Sequence, residues 1–213
     1  MNILRKLSFA LLIALPFIVA GGDKIDAGTV DNGVFKSDYF NFSMPLPKEW
    51  TVISPEQNKM LMDKGKKVIA GDDKSMQAAL DDSVQTTINM ITLFKHPLGS
   101  PVAFNPSIGI VAEKVSQLPG IKRGKDYLFH VTKLLQASKL NYDISDEIKT
   151  VKLGKMDFDV QEMKLSVRNL DIKQKYYSAI VKGYALGIVV SSTTPEDEKL
   201  IDEILSKISF EVK

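Results

Sequence analysis

The segment 120–125 carries the clearest binding chemistry in the sequence, because it places three cations beside two glycines just before a predicted helix. The cations are Lys122, Arg123 and Lys125. The first amides of a helix have no partner within the helix, and its dipole favours negative charge, so such a segment can bind an anion. More often a basic run of this kind is a solvated loop. The three cations are therefore a candidate site for a partner or an anion.

The two histidines, His96 and His130, are the candidate bases and metal ligands. A zinc site uses three or four nitrogen or sulfur ligands, but the chain has no cysteine and no two histidines four positions apart. Serines are plentiful, yet none lies in the G-x-S-x-G motif of a nucleophile elbow. The sequence thus predicts no catalytic residue, no metal and no cofactor. His96, at the end of a predicted strand, is added to the candidate partner site.

Acidic residues and glycines also give no recognisable catalytic or nucleotide site. Asp72-Asp73 and Asp81-Asp82 do not follow the D-x-D-x-D-G spacing of a calcium loop. Asp157 and Asp159 share a face of a predicted strand and could pair across it. Neither G-x-G-x-x-G nor a Walker sequence occurs, so no phosphate-binding loop is predicted.

The composition is that of one globular domain with an export signal. The 213 residues are 44% hydrophobic, with 28 basic and 26 acidic residues and no cysteine. Residues 1–20 form a predicted signal peptide, since Arg5 and Lys6 precede an apolar run that is shorter than the roughly 20 residues of a membrane-spanning helix. Cleavage after Ala20 is predicted; an uncleaved membrane anchor is the alternative.

Removal of the signal changes the charge of the protein. Two of the 28 basic residues are lost, and the remaining 26 balance the 26 acidic ones. A neutral, exported domain gives no reason to expect a nucleic-acid partner or a stable membrane anchor. We expect a soluble periplasmic or secreted protein that is held together by its hydrophobic core, because disulfides are impossible.

Periodicity and turn residues predict a mixed order of strands and helices after a flexible arm, residues 21–33, with a single domain at 34–213. Ser54 and Gln57 can form a capping box for a helix that is peripheral or broken at Gly65. A change of phase in one strand predicts a bulge near Gln161 or Glu162. The main predicted elements are helices Pro55–Ala70, Gly124–Lys139 and one beginning at Pro195, and strands Ser83–Leu93, Ser107–Val115, Ile148–Leu153, Phe158–Val167, Ile172–Val181 and Ala185–Ser191.

Residues at the turns, strand ends and helix starts of this chain resemble those of the PsbP-like proteins. The resemblance runs from Val34 to Phe210 and rests on Phe42-Ser43-Met44-Pro45 and Trp50, the turn Gly154-Lys155, the helix start Thr194-Pro195-Glu196 and the ending Ile208-Ser209-Phe210. It implies an α+β fold, a three-layer α/β/α sandwich with a central, mainly antiparallel sheet. It also implies non-enzymatic roles in protein binding or assembly. No functional residue carries over.

Three functional hypotheses follow. The leading one is an exported, non-catalytic domain that binds a protein or envelope partner through loops 95–106 and 120–125. The second is a binding protein for a small hydrophobic ligand, held between the sheet and the helix Pro55–Ala70 and lined by Met44, Met60, Met62 and Trp50. The third is a hydrolase that uses His96 or His130.

Overall fold

The structure, a computed structural model, describes residues 25–167 and 169–210, without the side chains of residues 79 and 82–86. The predicted signal peptide lies outside the described residues. Along the described chain the elements are β1 (Thr29–Asp31), β2 (Val34–Ser37), β3 (Phe42–Pro45), β4 (Thr51–Val52), α1 (Pro55–Ala70), α2 (Lys74–Thr86), β5 (Thr87–Phe94), β6 (Ser107–Lys114), α3 (Gly124–Ala137), β7 (Tyr142–Leu153), β8 (Met156–Val167), β9 (Leu170–Val181), β10 (Tyr184–Ser192), α4 (Pro195–Leu205) and β11 (Ser209–Phe210).

Two antiparallel sheets organise these elements into an α+β fold. The central sheet has the strand order β4-β5-β6-β10-β9-β8-β7, and a small sheet has the order β1-β2-β3-β11. A tight turn joins β9 to β10, because Lys182 and Gly183 both adopt positive φ, at 50° and 80°. β10 is buried along its whole length between β6 and β9, which confirms the central strand that the apolar run Gly187-Ile188-Val189-Val190 predicts.

The central sheet packs on both faces, and each face has its own hydrophobic core. The first core lies between the sheet, the small sheet and α4, as shown by Phe35, Leu186 and Ile204. The second core lies between the opposite face, α3, the end of α1 and the middle of α2, as shown by Ile69, Leu80 and Leu128. One outer layer is therefore helical, whereas the other combines a helix with a sheet.

The segment before β5 differs from its prediction. Residues 83–86 end a helix, α2, where the pattern of β-branched residues predicts a strand. Residues 74–83 also belong to this helix, although the acidic segment from Gly71 to Ser83 predicts a solvated connection with at most one helical turn. Leu80 is buried in the second core and Lys66 of α1 pairs with Asp81 of α2, with Nζ–Oδ1 at 2.7 Å. Such packing outweighs the few tenths of a kcal/mol by which threonine and valine disfavour a helix.

The bulge predicted in β8 is also wrong, because β8 pairs with β9 without interruption from Asp159 to Val167. Phe158 and Val160 face the first core, whereas Met163 and Leu165 face the second. The apolar residues thus change faces while the strand stays regular. The irregularity lies in the neighbouring strand β7, between Ile144 and Ile148.

Four smaller differences concern element bounds and burial. β1 lies inside the segment predicted as a flexible arm and pairs with β2. α1 runs through Gly65 without a break, and β7 begins at Tyr142, six residues before its prediction. On α4, Leu200 is 39% exposed, although it belongs to the apolar stripe Leu200, Ile201, Ile204, Leu205 and Ile208, which predicts a buried face.

Candidate functional site

A cleft of about 500 Å³ lies between α1 and the edge of the central sheet, and we call it the α1 cleft. It exists because α1 is attached to the sheet at its two ends. The Ser54–Gln57 capping box starts the helix directly after β4, and Ile69 packs into the second core at the other end. The cleft is lined by Gly28, Val30, Phe35, Val52, Ile53, Pro55, Asn58, Lys59, Met62, Asp63, Lys66, Thr87, Asn89, Met90, Ile91 and Thr92.

Most of the inner wall of the α1 cleft is apolar. Phe35 of the small sheet and Met90 and Ile91 of β5 belong to the first core, so the cleft reaches down to that core. Val52, which is 40% exposed, stands at its mouth on β4. The volume lies within the range of small-ligand pockets, roughly 300–1,000 Å³.

A few polar groups interrupt this apolar wall. Asn58 is 7% exposed, and its Oδ1 has no hydrogen-bond partner in the described part of the chain; the same is true of the buried Thr87 Oγ1. Asn89 Nδ2 meets Met62 Sδ at 3.9 Å, which is a weak contact. An unpartnered buried acceptor costs about 1–3 kcal/mol, so a donor on a ligand would stabilise Asn58 once its side chain turns toward the cleft.

The charges at the rim of the α1 cleft neutralise one another. Lys59 Nζ lies 2.9 Å from Asp63 Oδ2, and Lys66 Nζ contacts both Asp63 and Asp81. The hydrogen bond from Lys59 lowers the pKa of Asp63, and the hydrogen bond to Asp81 raises the pKa of Lys66. These paired charges provide no net attraction for an ionic ligand.

The predicted basic site lies elsewhere, at a second hollow of about 520 Å³ lined by Lys122, Arg123 and Lys182. The backbone amides of Lys122 and Arg123 donate to Asp126 Oδ2 at 3.0 and 2.9 Å. The hydrogen bond from the Lys122 amide, and then that from the Arg123 amide, lower the pKa of Asp126. The chain's own carboxylate thus occupies amides that an anion would use, whereas the side chains of Lys122 and Arg123 are exposed.

A second carboxylate closes the same helix end. The amide of Lys125 donates to Asp159 Oδ2 at 2.8 Å, and Thr150 Oγ1 donates to Asp159 Oδ1 at 2.8 Å. Asp159 is buried whereas Asp157 is exposed, so these two acids do not act as a pair. Gly124 allows this close docking, because a Cβ there would lie 1.9 Å from the carbonyl oxygen of Ser178.

The structure does not bring His96 together with the basic residues. His96 follows β5 and exchanges backbone hydrogen bonds with the Asn105 side chain, at 2.9 and 2.7 Å, near the start of β6. Segment 120–125 follows the opposite end of β6. His130 lies on α3 with its ring against Phe129. Within residues 25–167 and 169–210, no three His, Asp or Glu side chains are grouped to hold a metal ion.

Comparison with solved structures identifies the fold. No family model matches the chain, and no curated protein matches its sequence. The solution structure of cyanobacterial PsbP (CyanoP) from Synechocystis sp. PCC 6803 matches with a TM-score of 0.51 at 8% identity, covering 91% of this chain and 99% of that one. The chain has a PsbP-like fold. This likeness concerns the fold alone, since the identity is so low.

Two other structures are similar to parts of this PsbP-like fold. LpqN of Mycobacterium tuberculosis, described as involved in cell envelope biogenesis, gives a TM-score of 0.43 at 12% identity, covering 79% of this chain and 82% of that one. A protein from Bacteroides thetaiotaomicron gives 0.44 at 13% identity, covering 85% and 49%. Both scores are below 0.5, so neither supports a conclusion.

On this PsbP-like fold, only one of the four residues predicted to line an apolar pocket does so. Met62 lines the α1 cleft, whereas Met44 is fully buried in the first core and Met60 is 55% exposed. Trp50 packs against the first core outside the cleft lining. The polar residues Asn58 and Thr87 were missed, because a single asparagine in a helix that is otherwise largely polar carries no periodic signal.

Proposed function

We propose that the protein is a non-catalytic binding protein and that the α1 cleft binds an apolar ligand with a hydrogen-bond donor. The observation that carries this proposal is the apolar α1 cleft of about 500 Å³, whose lining includes Asn58, a buried residue with an unpartnered Oδ1. A donor on the ligand would offset the desolvation cost of this oxygen, and the apolar wall would supply most of the affinity. This proposal takes up the second hypothesis from the sequence, a binding protein for a small hydrophobic ligand, and assigns the ligand to the α1 cleft.

The non-catalytic part of the proposal is supported by the distribution of reactive side chains. Asn58, Thr87 and Asn89 can hydrogen-bond a ligand, but none is an effective general base or nucleophile. Asp63, the carboxylate in the described lining, is paired with Lys59 and Lys66, and its lowered pKa makes it a weaker base. His96 and His130 are not among the residues that line the α1 cleft. A hydrolase that uses either histidine would need a separate site.

Dye binding tests the α1 cleft directly. We expect N-phenyl-1-naphthylamine, an uncharged apolar dye with an N–H donor, to bind with enhanced fluorescence. Val52→Trp at the mouth should weaken this binding at least tenfold, because the indole fills the entrance. Val68→Trp is the matched control, since Val68 is similarly exposed, at 42%, but does not line the cleft. Equal binding by both variants, or no binding by the native protein, would overturn the proposal.

Export is part of the same proposal, because the cationic start and short apolar run of residues 1–20 predict a signal peptide. No described helix is long and apolar enough to cross a membrane. N-terminal sequencing of the protein from its native cell should find Gly21 as the first residue. An intact Met1 in the native protein would contradict export by cleavage.

The finer architecture and the partner site are proposals as well. We describe the fold as an α/β/α-like sandwich in which α4 and the small sheet together form one outer layer. A protein or envelope partner that contacts Lys122, Arg123, Lys125 or His96 remains a prediction. Because His96 and the basic segment lie at opposite ends of β6, we expect that two surfaces, and not one, would serve such partners.

A further inference from the structure

We propose that the ligand of the α1 cleft is an extended, uncharged peptide segment of a partner protein, which adds to the central sheet as a strand beside β5. This inference rests on the proposed function of the cleft and specifies its occupant. Strand addition supplies affinity through main-chain hydrogen bonds and specificity through pockets for alternate side chains.

The lining of the cleft shows that it follows the edge of β5. Successive side chains of a strand point to opposite faces, so a pocket over one face contacts every second residue. The cleft instead contacts Thr87 and four residues from Asn89 to Thr92. A register shift lies between Asn89 and Ile91, but Ile91 and Thr92 lie beyond it and both line the cleft. A void that meets both faces of a strand runs along its edge.

This edge of β5 is only partly paired. β4 pairs with Leu93 and Phe94, and the Ile53 amide donates to the Thr92 carbonyl at 3.1 Å. At Ser54 the chain turns into α1. No described strand pairs with the stretch from Thr87 to Ile91 on the side away from β6. Backbone donors and acceptors at such an edge are a template for another strand.

The opposite edge of the central sheet is protected against strand addition. β7 is exposed or half-buried up to its last residue and carries charges of both signs, including Asp143, Glu147, Lys149 and Lys152. Its pairing with β8 is interrupted between Ile144 and Ile148. Charges and bulges of this kind are the usual devices that block edge-to-edge pairing. The sheet therefore favours addition at the β5 edge alone.

The chemistry of the cleft fits a peptide segment. A peptide alternates N–H and C=O groups, so it can pair with β5 and also donate to Asn58 Oδ1. Its side chains can reach Phe35 on one side and Met62 on the other. From the strand rise, strand spacing and sheet spacing of about 3.3, 4.8 and 10 Å, one residue fills roughly 160 Å³, so the cleft holds about three residues. The paired rim charges favour an uncharged segment.

The test uses a blocked heptapeptide of alternating valine and threonine with two N-methylated versions. Alternate amides of a strand point to opposite edges, so each version removes the donors of one edge. We expect the parent peptide to displace the dye and to slow amide hydrogen exchange at residues 87–91 at least tenfold. One methylated version should bind at least tenfold more weakly, and the other should bind like the parent.

The outcomes separate the two proposals. If the dye binds and Val52→Trp blocks it, but the peptide fails to bind or both methylated versions bind like the parent, strand addition is wrong and the apolar cleft stands. If a non-peptide such as decanol displaces the dye while the peptide does not, the ligand is a small molecule. Failure of the dye itself overturns both proposals.

Discussion

Two buried asparagines in this protein have opposite hydrogen-bonding states. Both side-chain atoms of Asn105 bond to the backbone of His96, so this residue holds the loop after β5 in place. Asn58 is also buried, at 7% exposure, but its Oδ1 has no partner. Burial alone therefore does not indicate whether a polar side chain serves structure or binding, and the partner of each atom decides.

Replacing each asparagine by leucine distinguishes these roles. Asn58→Leu should raise the free energy of unfolding by about 1 kcal/mol, because it removes an unsatisfied acceptor without changing volume much. Asn105→Leu, the matched control, should lower it by about 2 kcal/mol because two backbone groups lose their partners. Urea unfolding measures both. Destabilisation of similar size in the two variants would contradict the assignment of Asn58 as a ligand-binding group.

Gly124 has a steric role at the start of α3. Gly124→Ala should lower the free energy of unfolding by at least about 2 kcal/mol, because the new Cβ would overlap the Ser178 carbonyl oxygen and push the helix off the sheet. Gly120→Ala is the control, since no atom lies within 4 Å of a Cβ there, and it should change stability by less than about 0.5 kcal/mol. Equal effects in thermal unfolding would show that the helix end adjusts freely.

The sequence predicts residues with a local role better than residues with a tertiary one. Ser54, Gln57 and Thr194 are recognisable as caps because their partners lie within three positions. Asn58 and Asp159 are not recognisable, because their environment is created by strands far away in the chain. The α1 cleft was therefore anticipated in its general place, under Pro55–Ala70, and not in its lining.

At the scale of elements, the shape of the α1 cleft depends on the stability of the first turn of α1. Ser54 Oγ accepts from the Gln57 amide at 3.2 Å, and Gln57 Oε1 accepts from the Ser54 amide at 2.9 Å. Pro55 and Asn58, in the same turn, line the cleft. Fraying of this turn would open the cleft and displace Asn58.

Loss of the two helix caps should have the same cost in stability and different effects on binding. Ser54→Ala and Thr194→Ala should each lower the free energy of unfolding by about 1 kcal/mol, as usual for a lost cap. Ser54→Ala should also weaken dye binding several-fold, because α1 forms a wall of the cleft. Thr194→Ala should leave it unchanged, since α4 does not line the cleft. Equal dye affinity in both variants would show that the cleft does not depend on the first turn of α1.

The elements that were predicted wrongly share one physical cause. In β8, Asp159 and Gln161 are buried under α3, where Lys125 and Thr132 donate to them. A prediction from hydrophobic periodicity treats these buried polar side chains as exposed. It therefore places a bulge in β8, where the structure has none. Similarly, α2 is stabilised by packing against α1 and β5, which no local propensity reports.

At the scale of the whole molecule, buried tyrosines connect stability to high pH. Burial raises the pKa of Tyr142, Tyr176 and Tyr177 above the ordinary value of 10.0. The unfolded chain releases these protons near pH 10, whereas the folded chain retains them. Their contribution to stability is therefore complete below about pH 10 and is lost as the pH rises above it.

Tyr176→Phe tests this linkage. Above about pH 10, the free energy of unfolding should fall more steeply with pH for the native protein than for the variant, because the variant lacks one proton-retaining group. The two slopes should differ by up to about 1.4 kcal/mol per pH unit. Urea unfolding between about pH 8 and 11 measures the slopes, and the slopes near pH 8 serve as the internal control. Parallel curves across the whole range would show that Tyr176 ionises at the same pH in both states.

The pairing of β3 with β11 has a consequence for the order in which the protein can fold. Ser43 Oγ and Ser209 Oγ lie 2.7 Å apart, although 166 positions separate them in the chain. At a synthesis rate of about 5–20 residues per second, β3 waits on the order of ten seconds for its partner strand. During that time the first core lacks α4 and Phe210, whose ring packs against Phe42 with the ring centroids 5.3 Å apart. The native packing of Phe42 is thus a late event, limited by closure of a long loop after synthesis has reached the last strand.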